Sequence, residues 1–455
     1  MLHFKIVILL MLLTLSLAQE DELILPIVSE DQFHLALDSV RQLLKEEGRW
    51  SNELHLRSVS RNEKGIQSRW SIVTGKPLLV DTVILSGVEE LNRRTIAQLT
   101  QIPPNIPANK TSLIKLHKSI IGYSFLRDAG QPFYARRQDK GLSAIIPVKA
   151  NFLHSIIAVV GVQPSSQEKG QITGDVQIRI ENPLGSASKT RFWWNRKDNQ
   201  SQRLSLGYED PIIWRLNIGG SFSFSQILQD GLYVQRETAI AVVLPHSFLG
   251  KVSIGGTEES VKITEDGDSL GLLGHSIRSL TIKLEKDSRN TRHNPTSGRW
   301  IRINLGLGDY LTDSNERTIS LDLKSEGEFL KPISDELLLS IAGWGGYFGL
   351  ASGIVPLSEK LRYGGASTLR GYDEQVFQAD WVVVGQFELR YIVGSYTQFF
   401  AFFDSAYDAL KRTPASAGFG YQQNTPFGIL RLAYALGKDD IPAEGKIHIG
   451  MINRF

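Results

Sequence analysis

No cysteine occurs among the 455 residues of the sequence. This absence predicts a chain without disulfide bonds, thiolate metal sites or a lipid-modified cysteine anchor. A large excess of charge of either sign is also missing, since 50 basic residues stand against 48 acidic ones. Nucleic-acid-binding proteins usually have a large excess of basic residues, and the net charge here is only +2. We therefore expect no nucleic acid as a partner.

Long hydrophobic runs are confined to the N-terminus, where Lys5 precedes an apolar run over Ile6–Leu17. The run is too short for a membrane-spanning helix, and the small residues Ser16 and Ala18 suit signal peptidase. The pattern predicts a secretory signal peptide over residues 1–18, with a buried amphipathic helix as the alternative. An exported chain without cysteine is typical of the bacterial cell envelope. No other stretch approaches the roughly 20 apolar residues of a transmembrane helix, so membrane insertion requires the strands of a closed barrel.

Signatures of catalysis and of metal or cofactor binding are missing as well. The chain has no Gly-x-Ser-x-Gly motif, and its nine histidines show no paired metal-ligand spacing. We therefore predict no enzymatic activity, no metal site and no cofactor, with a barrel enzyme such as a lipase or protease as the alternative. Four histidines are predicted to be ordinary strand or loop residues: His154, His246, His275 and His448.

Residues 19–75 have the pattern of a helix followed by a hairpin. Apolar residues recur at helical spacing over Asp31–Glu47, and two strand patterns follow over Glu53–Val59 and Ile66–Val73. The segment is predicted to be a partial α+β unit.

Residues 76–150 show a fuller α+β pattern. The order of strand, helix, helix, strand and strand resembles a POTRA domain, a periplasmic module of outer-membrane assembly and secretion proteins. Residues 19–75 resemble the latter half of a preceding POTRA unit, and a generic α+β domain is the alternative. The predicted elements are a strand over Leu78–Leu85, a helix over Arg93–Leu99, a helix over Ser112–Leu126 with Thr111 as N-cap, and strands over Gln131–Arg137 and Leu142–Lys149.

From residue 151 to residue 455 the pattern changes to short alternating segments separated by Gly, Asn, Asp and Pro. In residues 301–307, isoleucine and leucine alternate with arginine, asparagine and glycine. Charges on one face favour a water-filled lumen over a dry core, because an unpaired buried charge is costly, although alternation also fits a soluble β-sandwich. About 300 residues at roughly 19 per strand give about 16 strands. The predicted fold class is mainly β: a 16-stranded transmembrane antiparallel β-barrel preceded by a small α+β POTRA region.

The last strand pattern, Lys446–Phe455, places Ile449, Met451 and the terminal Phe455 on one face. A terminal aromatic residue in this register resembles the C-terminal recognition signal of outer-membrane barrel proteins. Together with the signal peptide and the alternation, this pattern predicts location in the bacterial outer membrane, with the POTRA region in the periplasm.

The segment Tyr363–Tyr372 has an unusual composition for a solvated loop. Its single arginine, Arg370, stands among three glycines and several small or aliphatic residues. One interpretation is a surface turn with an incidental arginine, since glycine and serine mark turns generally. The other interpretation is a loop whose arginine has a charged partner elsewhere in the chain.

The position of this segment after the eleventh of sixteen strand patterns resembles a loop of the outer-membrane protein assembly superfamily that includes BamA and TamA. In that family the loop folds into the lumen, and its arginine pairs with acids on the barrel wall. The resemblance implies that these acids are Glu388 and Asp404, on the next two strands, with Ala406 standing where the family has glycine. Arg370 is interpreted as a structural lock, held by bidentate hydrogen bonds. The matching loop residues are Gly364, Gly365, Leu369, Arg370, Gly371 and Tyr372.

The resemblance implies a function in the insertion or assembly of outer-membrane proteins. The first and last strands, about Phe152–Gly161 and Lys446–Phe455, would pair weakly and open sideways, so that a client strand adds to the exposed edge. The implied partners are unfolded outer-membrane or secreted client proteins, outer-membrane lipid and accessory lipoproteins. The alternatives are a two-partner-type secretion translocator of the same superfamily, with Asp31–Glu47 as its plug helix, and a passive porin.

Overall fold

A computed structural model of the chain describes residues 22–452, except for residues 29–37, 43, 63–64, 104, 124, 140, 153, 164–170, 197, 199, 214–217, 248, 292–293, 395–396 and 426–427. The predicted signal peptide and Phe455 lie outside these described residues. The chain divides after Asn151 into two compact units. Within the described part, no helix is both long enough and apolar enough to cross a membrane.

The first part of the N-terminal unit is a three-stranded antiparallel sheet. Its strands are β1 (Glu22–Val28), β2 (Asn52–Asn62) and β3 (Gly65–Thr74), in the order β1-β3-β2. Residues 38–42 and 44–46 are helical, and they belong to the helix predicted over Asp31–Glu47. Strand β1 was not predicted from the sequence, because it is a nearly continuous apolar run with a proline and does not alternate.

The second part of the N-terminal unit combines a four-stranded sheet with two helices. Its elements are β4 (Thr82–Ser86), α1 (Arg93–Leu99), α2 (Lys110–Ile121), β5 (Leu126–Asp128), β6 (Phe133–Arg136) and β7 (Leu142–Ala150). Strand β7 is parallel to β4 and antiparallel to β5 and β6. Ala144, Ile146 and Val148 of β7 are buried, so one face of the central strand forms the core.

Helix α1 has the predicted bounds, whereas α2 differs from the prediction at both ends. Its N-cap is Asn109 and not Thr111, because the side-chain oxygen of Asn109 accepts a hydrogen bond from the N–H of Ser112 at 2.6 Å. Thr111 already lies in the first helical turn. The helix ends at Ile121, and Leu126, the predicted last residue, begins β5.

The C-terminal unit is a single 16-stranded antiparallel sheet. Its strands are β8 (Ser155–Gln163), β9 (Gln171–Glu181), β10 (Lys189–Arg196), β11 (Gln202–Ile213), β12 (Ile218–Gln229), β13 (Tyr233–Ser247), β14 (Gly250–Ile263), β15 (His275–Asp287), β16 (Gly298–Thr312), β17 (Arg317–Pro332), β18 (Leu337–Leu350), β21 (Trp381–Ile392), β22 (Gln398–Asp408), β23 (Ala415–Thr425), β24 (Gly428–Gly437) and β25 (Lys446–Ile452). Eleven strands, β8–β18, precede the segment that contains Arg370, and five follow it. The predicted mainly β fold, with 16 antiparallel strands after a small α+β region, is therefore confirmed.

Three further elements connect the strands of this sheet. A short helix, α3 (Glu265–Ser269), lies between β14 and β15. Residues 351–380, which we call the lumen loop, join β18 to β21 and contain the two short strands β19 (Leu361–Tyr363) and β20 (Phe377–Ala379).

The two faces of the sheet differ in the way that alternation predicts. Along β16, Ile301, Leu305 and Leu307 are exposed on the outer face. On the other face, Arg302 donates hydrogen bonds to Glu326 at 2.7 Å and to Glu285 at 3.2 Å. A soluble β-sandwich would bury the apolar face, so the exposed rows of leucine and isoleucine indicate contact with lipid and a polar interior.

Strands β8 and β25 are the two ends of the 16-stranded sheet. Over residues 155–163 and 446–452, which the structure describes, these strands share no hydrogen-bonded ladder. Each end strand therefore has one paired edge and one open edge. We call the junction of these two open edges the seam.

Candidate functional site

The lumen loop folds back onto the inner face of the sheet. Strands β19 and β20 pair with each other and bring Tyr363 opposite Phe377. The buried side chains of Tyr363 and Leu369 pack in one apolar cluster with Val382 and Val384 of β21. Because the neighbouring Val383 is exposed on the outer face, these contacts place the loop inside the barrel.

Glycines shape the turns of the loop on either side of Leu369. Gly364 and Gly365 have φ angles of +119° and +95°, and the N–H of Gly365 donates a hydrogen bond to the Leu369 carbonyl at 3.0 Å. Gly371 has a φ of +86°, and a Cβ atom there would lie 2.9 Å from the backbone nitrogen of Gly437. Only glycine allows both this conformation and this close approach to β24.

Arg370 binds both of the acids that the resemblance implies. Its Nε and Nη2 donate to the two oxygens of Asp404 at 2.7 and 2.6 Å, and its backbone N–H also donates to Asp404 at 3.2 Å. Its Nη1 donates to Glu388 at 2.5 Å. The guanidinium carbon lies 3.6 Å from the centre of the Phe402 ring. Burial alone would lower the pKa of Arg370, but the hydrogen bonds to Asp404 and the charge of Glu388 raise it.

Glu388 also binds two arginines that the sequence analysis did not identify. Arg390 donates to Glu388 at 2.7 Å, and Arg431 of β24 donates to it at 2.6 Å. Arg390 reaches further, to the hydroxyl of Ser340 at 3.0 Å and to Glu328 at 3.3 Å. A network of hydrogen-bonded charges thus runs across the inner wall from β17 to β24. Arg390 was recognisable in the sequence, since it follows Glu388 by two residues and so shares its face.

A second polar cluster fixes the start of the loop. The Tyr363 hydroxyl donates to Asp408 of β22 at 2.6 Å, and Arg412 donates to the same carboxylate at 2.7 Å. Burial, followed by the hydrogen bond to Asp408, raises the pKa of Tyr363. Tyr363 and Arg370, which lie near the two ends of the segment Tyr363–Tyr372, are therefore both attached to β22.

The loop also contacts the last three strands. Tyr372 donates a hydrogen bond from its hydroxyl to the Ala415 carbonyl at 3.0 Å. The N–H of Gly371 donates to Nε2 of His448 on β25 at 3.3 Å. At the surface, Lys446 pairs with Asp373 at 3.0 Å. One side of the seam is therefore in direct contact with the loop.

The residues of the predicted C-terminal signal lie on or beyond β25. Ile449 is exposed on the outer face, and Met451 is paired with Leu430 in the ladder between β24 and β25. Phe455 lies outside the described residues. The role of these residues as a signal stays a prediction.

The acids of this network are fully occupied by hydrogen bonds to arginine. Every carboxylate oxygen of Glu388 and Asp404 accepts a hydrogen bond from a guanidinium group, so neither acid offers a free oxygen to a metal ion. The arrangement pairs buried charges and fixes the position of the loop on the wall.

Comparisons with known proteins agree with this architecture. The Omp85 superfamily domain matches residues 182–455. BamA from Haemophilus ducreyi, in a crystal structure that lacks POTRA domains 1–3, is 14% identical, with 94% of each chain covered and a TM-score of 0.55. CdiB from Acinetobacter baumannii is 13% identical over 94% of this chain and 82% of its own, with a TM-score of 0.58. CdiB from Escherichia coli is 13% identical over 94% and 85% of the two chains, with a TM-score of 0.56.

These solved structures establish the fold, and no curated protein sequence matches the chain. The matched domain covers more than half of the sequence and includes the lumen loop, both acids and the last five strands. The chain therefore belongs to the Omp85 superfamily of outer-membrane β-barrel proteins.

Proposed function

We propose that this protein inserts client β-barrel proteins into the bacterial outer membrane. The observation that carries the proposal is the seam, at which β8 and β25 each have an open edge in the described residues. An open edge presents unpaired N–H and C=O groups, to which an incoming client strand can add by backbone hydrogen bonding. The partners are unfolded outer-membrane clients, outer-membrane lipid and accessory lipoproteins.

The lumen loop supports this proposal by stabilising the wall beside the seam. Arg370 connects β21 and β22, and the adjacent Gly371 contacts β25. Strands β21 to β25 are therefore held as one block while the seam beside β25 stays unpaired. In this proposal Arg370 is a structural lock, and movement is restricted to the seam.

The N-terminal unit is proposed to be a POTRA region that lies in the periplasm and receives clients. Its second part has the order strand, helix, helix, strand, strand and strand, in a sheet with β7 at the centre. Strand β4 pairs only with β7 among the described residues, and its Ile84 side chain is exposed. An open edge with an apolar side chain suits the binding of an extended client segment.

A secretion translocator that passes one exported protein through the lumen is the second candidate. The similarity to CdiB is as close as the similarity to BamA, which favours this alternative equally at the level of the fold. The helix formed by residues 38–42 and 44–46 favours the assembly function, because it packs within the N-terminal unit. The carbonyl of Glu46 in this helix accepts a hydrogen bond from Asn109 of the same unit. Such a packed helix has the contacts of a domain element, which a free plug helix would lack.

Crosslinking of the seam tests the proposed function directly. Because the chain has no cysteine, two introduced cysteines form the only pair that can make a disulfide. Ile449→Cys on β25 is combined in turn with Ile156→Cys and Ala158→Cys on β8, all on the outer face. The control is Leu432→Cys with Ile449→Cys, at paired positions of β24 and β25.

The assay measures folding of a urea-denatured eight-stranded outer-membrane barrel protein, added to lipid vesicles that contain each variant. We expect the seam disulfide to reduce client folding to the rate of protein-free vesicles, and a reductant to restore it. The control disulfide leaves the rate unchanged. Full activity with a closed seam disulfide would overturn the proposal, because a protein that works through its lumen does not need the seam.

Depletion of the protein in its native host separates the two candidates. The assembly function predicts a joint decrease of several barrel proteins in the outer membrane. A loss restricted to one secreted protein would establish the translocator instead.

A further inference from the structure

Three side chains with metal-binding atoms meet at the end of the barrel from which the lumen loop departs. They are Glu259 near the end of β14, His275 at the start of β15, and Glu359 in the lumen loop. One ligand atom from each lies within 4.8 Å of the others, and Nε2 of His275 is 2.9 Å from Oε1 of Glu359. Sequence spacing gave no sign of this group because its members come from two strands and a distant loop.

The group is enclosed and brings two carboxyl groups together beside an imidazole. The side chain of His275 is fully buried, and that of Glu359 is 7% exposed. Lys324 is near enough to act electrostatically on both glutamates, but its ammonium group binds Asp322 at 3.0 Å. Lys324 is thus shared between Asp322 and the two glutamates. Two neighbouring buried carboxylates that are both ionised are costly unless a cation lies between them.

We propose that Glu259, His275 and Glu359 form a binding site for a divalent cation of the zinc type. One imidazole nitrogen and two carboxylate oxygens are a set of ligands that suits Zn²⁺ better than Mg²⁺ or Ca²⁺, which prefer oxygen alone. A charge of +2 neutralises the two glutamates. Two ligand atoms at about 2.0 Å from a tetrahedral ion lie roughly 3.3 Å apart, so small side-chain rotations convert the present spacing into a coordination site.

The surroundings hold the ligands in place as the outer shell of a metal site does. The ring of Tyr310 stacks on His275 with the ring centres 4.7 Å apart. Gln235 donates a hydrogen bond to Glu259 at 2.5 Å, and Ser358 donates one to Glu359 at 3.2 Å. A cavity of about 620 Å³ lies beside the group and is lined in part by Tyr310 and Ser358, the neighbours of His275 and Glu359.

A bound cation would strengthen the contact that Glu359 of the lumen loop already makes with His275 on the wall. Arg370 fastens the loop to β21 and β22, whereas Glu259 and His275 belong to β14 and β15. Among the contacts that hold the loop, this one would depend on the concentration of the ion. This inference does not depend on the proposed insertion activity.

The test uses the full-length chain, purified without a polyhistidine tag, stripped of metal and placed in lipid nanodiscs. Titration with Zn²⁺ alone, followed by calorimetry, is expected to show one ion bound per chain. Glu359→Gln and His275→Gln should each weaken binding by more than about 100-fold, since loss of an outer-shell partner already costs about 10- to 100-fold. Matched controls are Glu316→Gln, which lies at the same cavity, and His117→Gln in the N-terminal unit, and neither should change the affinity.

A spectroscopic measurement on the unaltered chain covers the case in which a variant fails to fold. Co²⁺ in place of Zn²⁺ should give the visible absorption of a four- or five-coordinate ion, and X-ray absorption should show one imidazole among oxygen ligands. Zn²⁺ should also protect residues 351–360 from amide hydrogen exchange. Absence of stoichiometric binding, or binding that survives both ligand substitutions, would overturn the proposal.

Discussion

Replacement of Arg370 by alanine is the sharpest perturbation of the lumen loop, and its cost falls mainly on Asp404. The Asp404 side chain is fully buried, and among the described residues its hydrogen bonds come from Arg370 alone. Glu388 keeps Arg390 and Arg431 after the substitution. Arg370→Ala therefore leaves one buried carboxylate with only a backbone N–H as its partner.

The expected loss of stability follows from that uncompensated charge. Removal of one partner of a buried ion pair costs about 3–5 kcal/mol. At an m value of about 3 kcal/mol/M, a loss of about 4 kcal/mol lowers the urea midpoint by roughly 1.3 M. The midpoint can be measured from the heat-modifiable gel mobility of the folded barrel in lipid vesicles.

Two further variants test the reasoning. In the double variant Arg370→Ala/Asp404→Asn, a neutral amide replaces the unpaired carboxylate, so part of the lost stability should return. Arg278→Ala is the matched control, because Arg278 makes an exposed pair with Glu258 at 2.9 Å whose loss should cost at most about 1 kcal/mol. If Arg370→Ala behaves like Arg278→Ala, or if Asp404→Asn restores nothing, the structural lock is refuted.

Three other predictions concern a turn, a helix cap and a buried phenol. Gly371→Ala should destabilise the barrel by about 1–3 kcal/mol or more, as measured by the urea midpoint. The loss should exceed that of Gly271→Ala, because Gly271 also has a positive φ angle but an added Cβ atom there would have no neighbour within 4 Å. Asn109→Ala should cost about 1 kcal/mol of local stability, measured by hydrogen exchange of α2 in the full chain, whereas Thr111→Ala should change it by less than about 0.5 kcal/mol. Burial raises the pKa of Tyr123 to about 12, so its contribution to stability is complete below the unfolded value of 10.0 and is lost as the pH rises towards 12; Tyr123→Phe should remove this pH dependence, and an unchanged alkaline transition would contradict the assignment.

The sequence predicted the barrel well because alternation has a period of two residues whatever the tertiary context. Strand β25 begins at the predicted residue Lys446, and the sheet has the predicted number of 16 strands. The contacts of Arg370 with Glu388 and Asp404 were expected from the resemblance of the loop, and composition alone left a surface turn open. Alternation of apolar and polar residues gives the number of strands and the face of the sheet on which each side chain lies. It gives no information on which distant side chains meet.

What the sequence did not reveal depends on three-dimensional proximity. Arg431 lies 43 residues from Glu388, and no local pattern pairs them. The same reason hid the group of Glu259, His275 and Glu359, in which a histidine with an ordinary strand environment in sequence meets a loop carboxylate. The error at α2 has another cause, since Asn109 and Thr111 are both good caps and backbone conformation decides between them.

The attachment of Arg370 also constrains the order and accuracy of folding. Its carboxylate partners lie on β21 and β22, and its neighbour Gly371 contacts β25, so the loop cannot dock before the C-terminal strands have assembled. A one-residue slip of β21 or β22 would turn Glu388 or Asp404 outward to the lipid and leave the arginine unpaired. The ion pairs therefore stabilise the observed register of β21 and β22 over a register shifted by one residue.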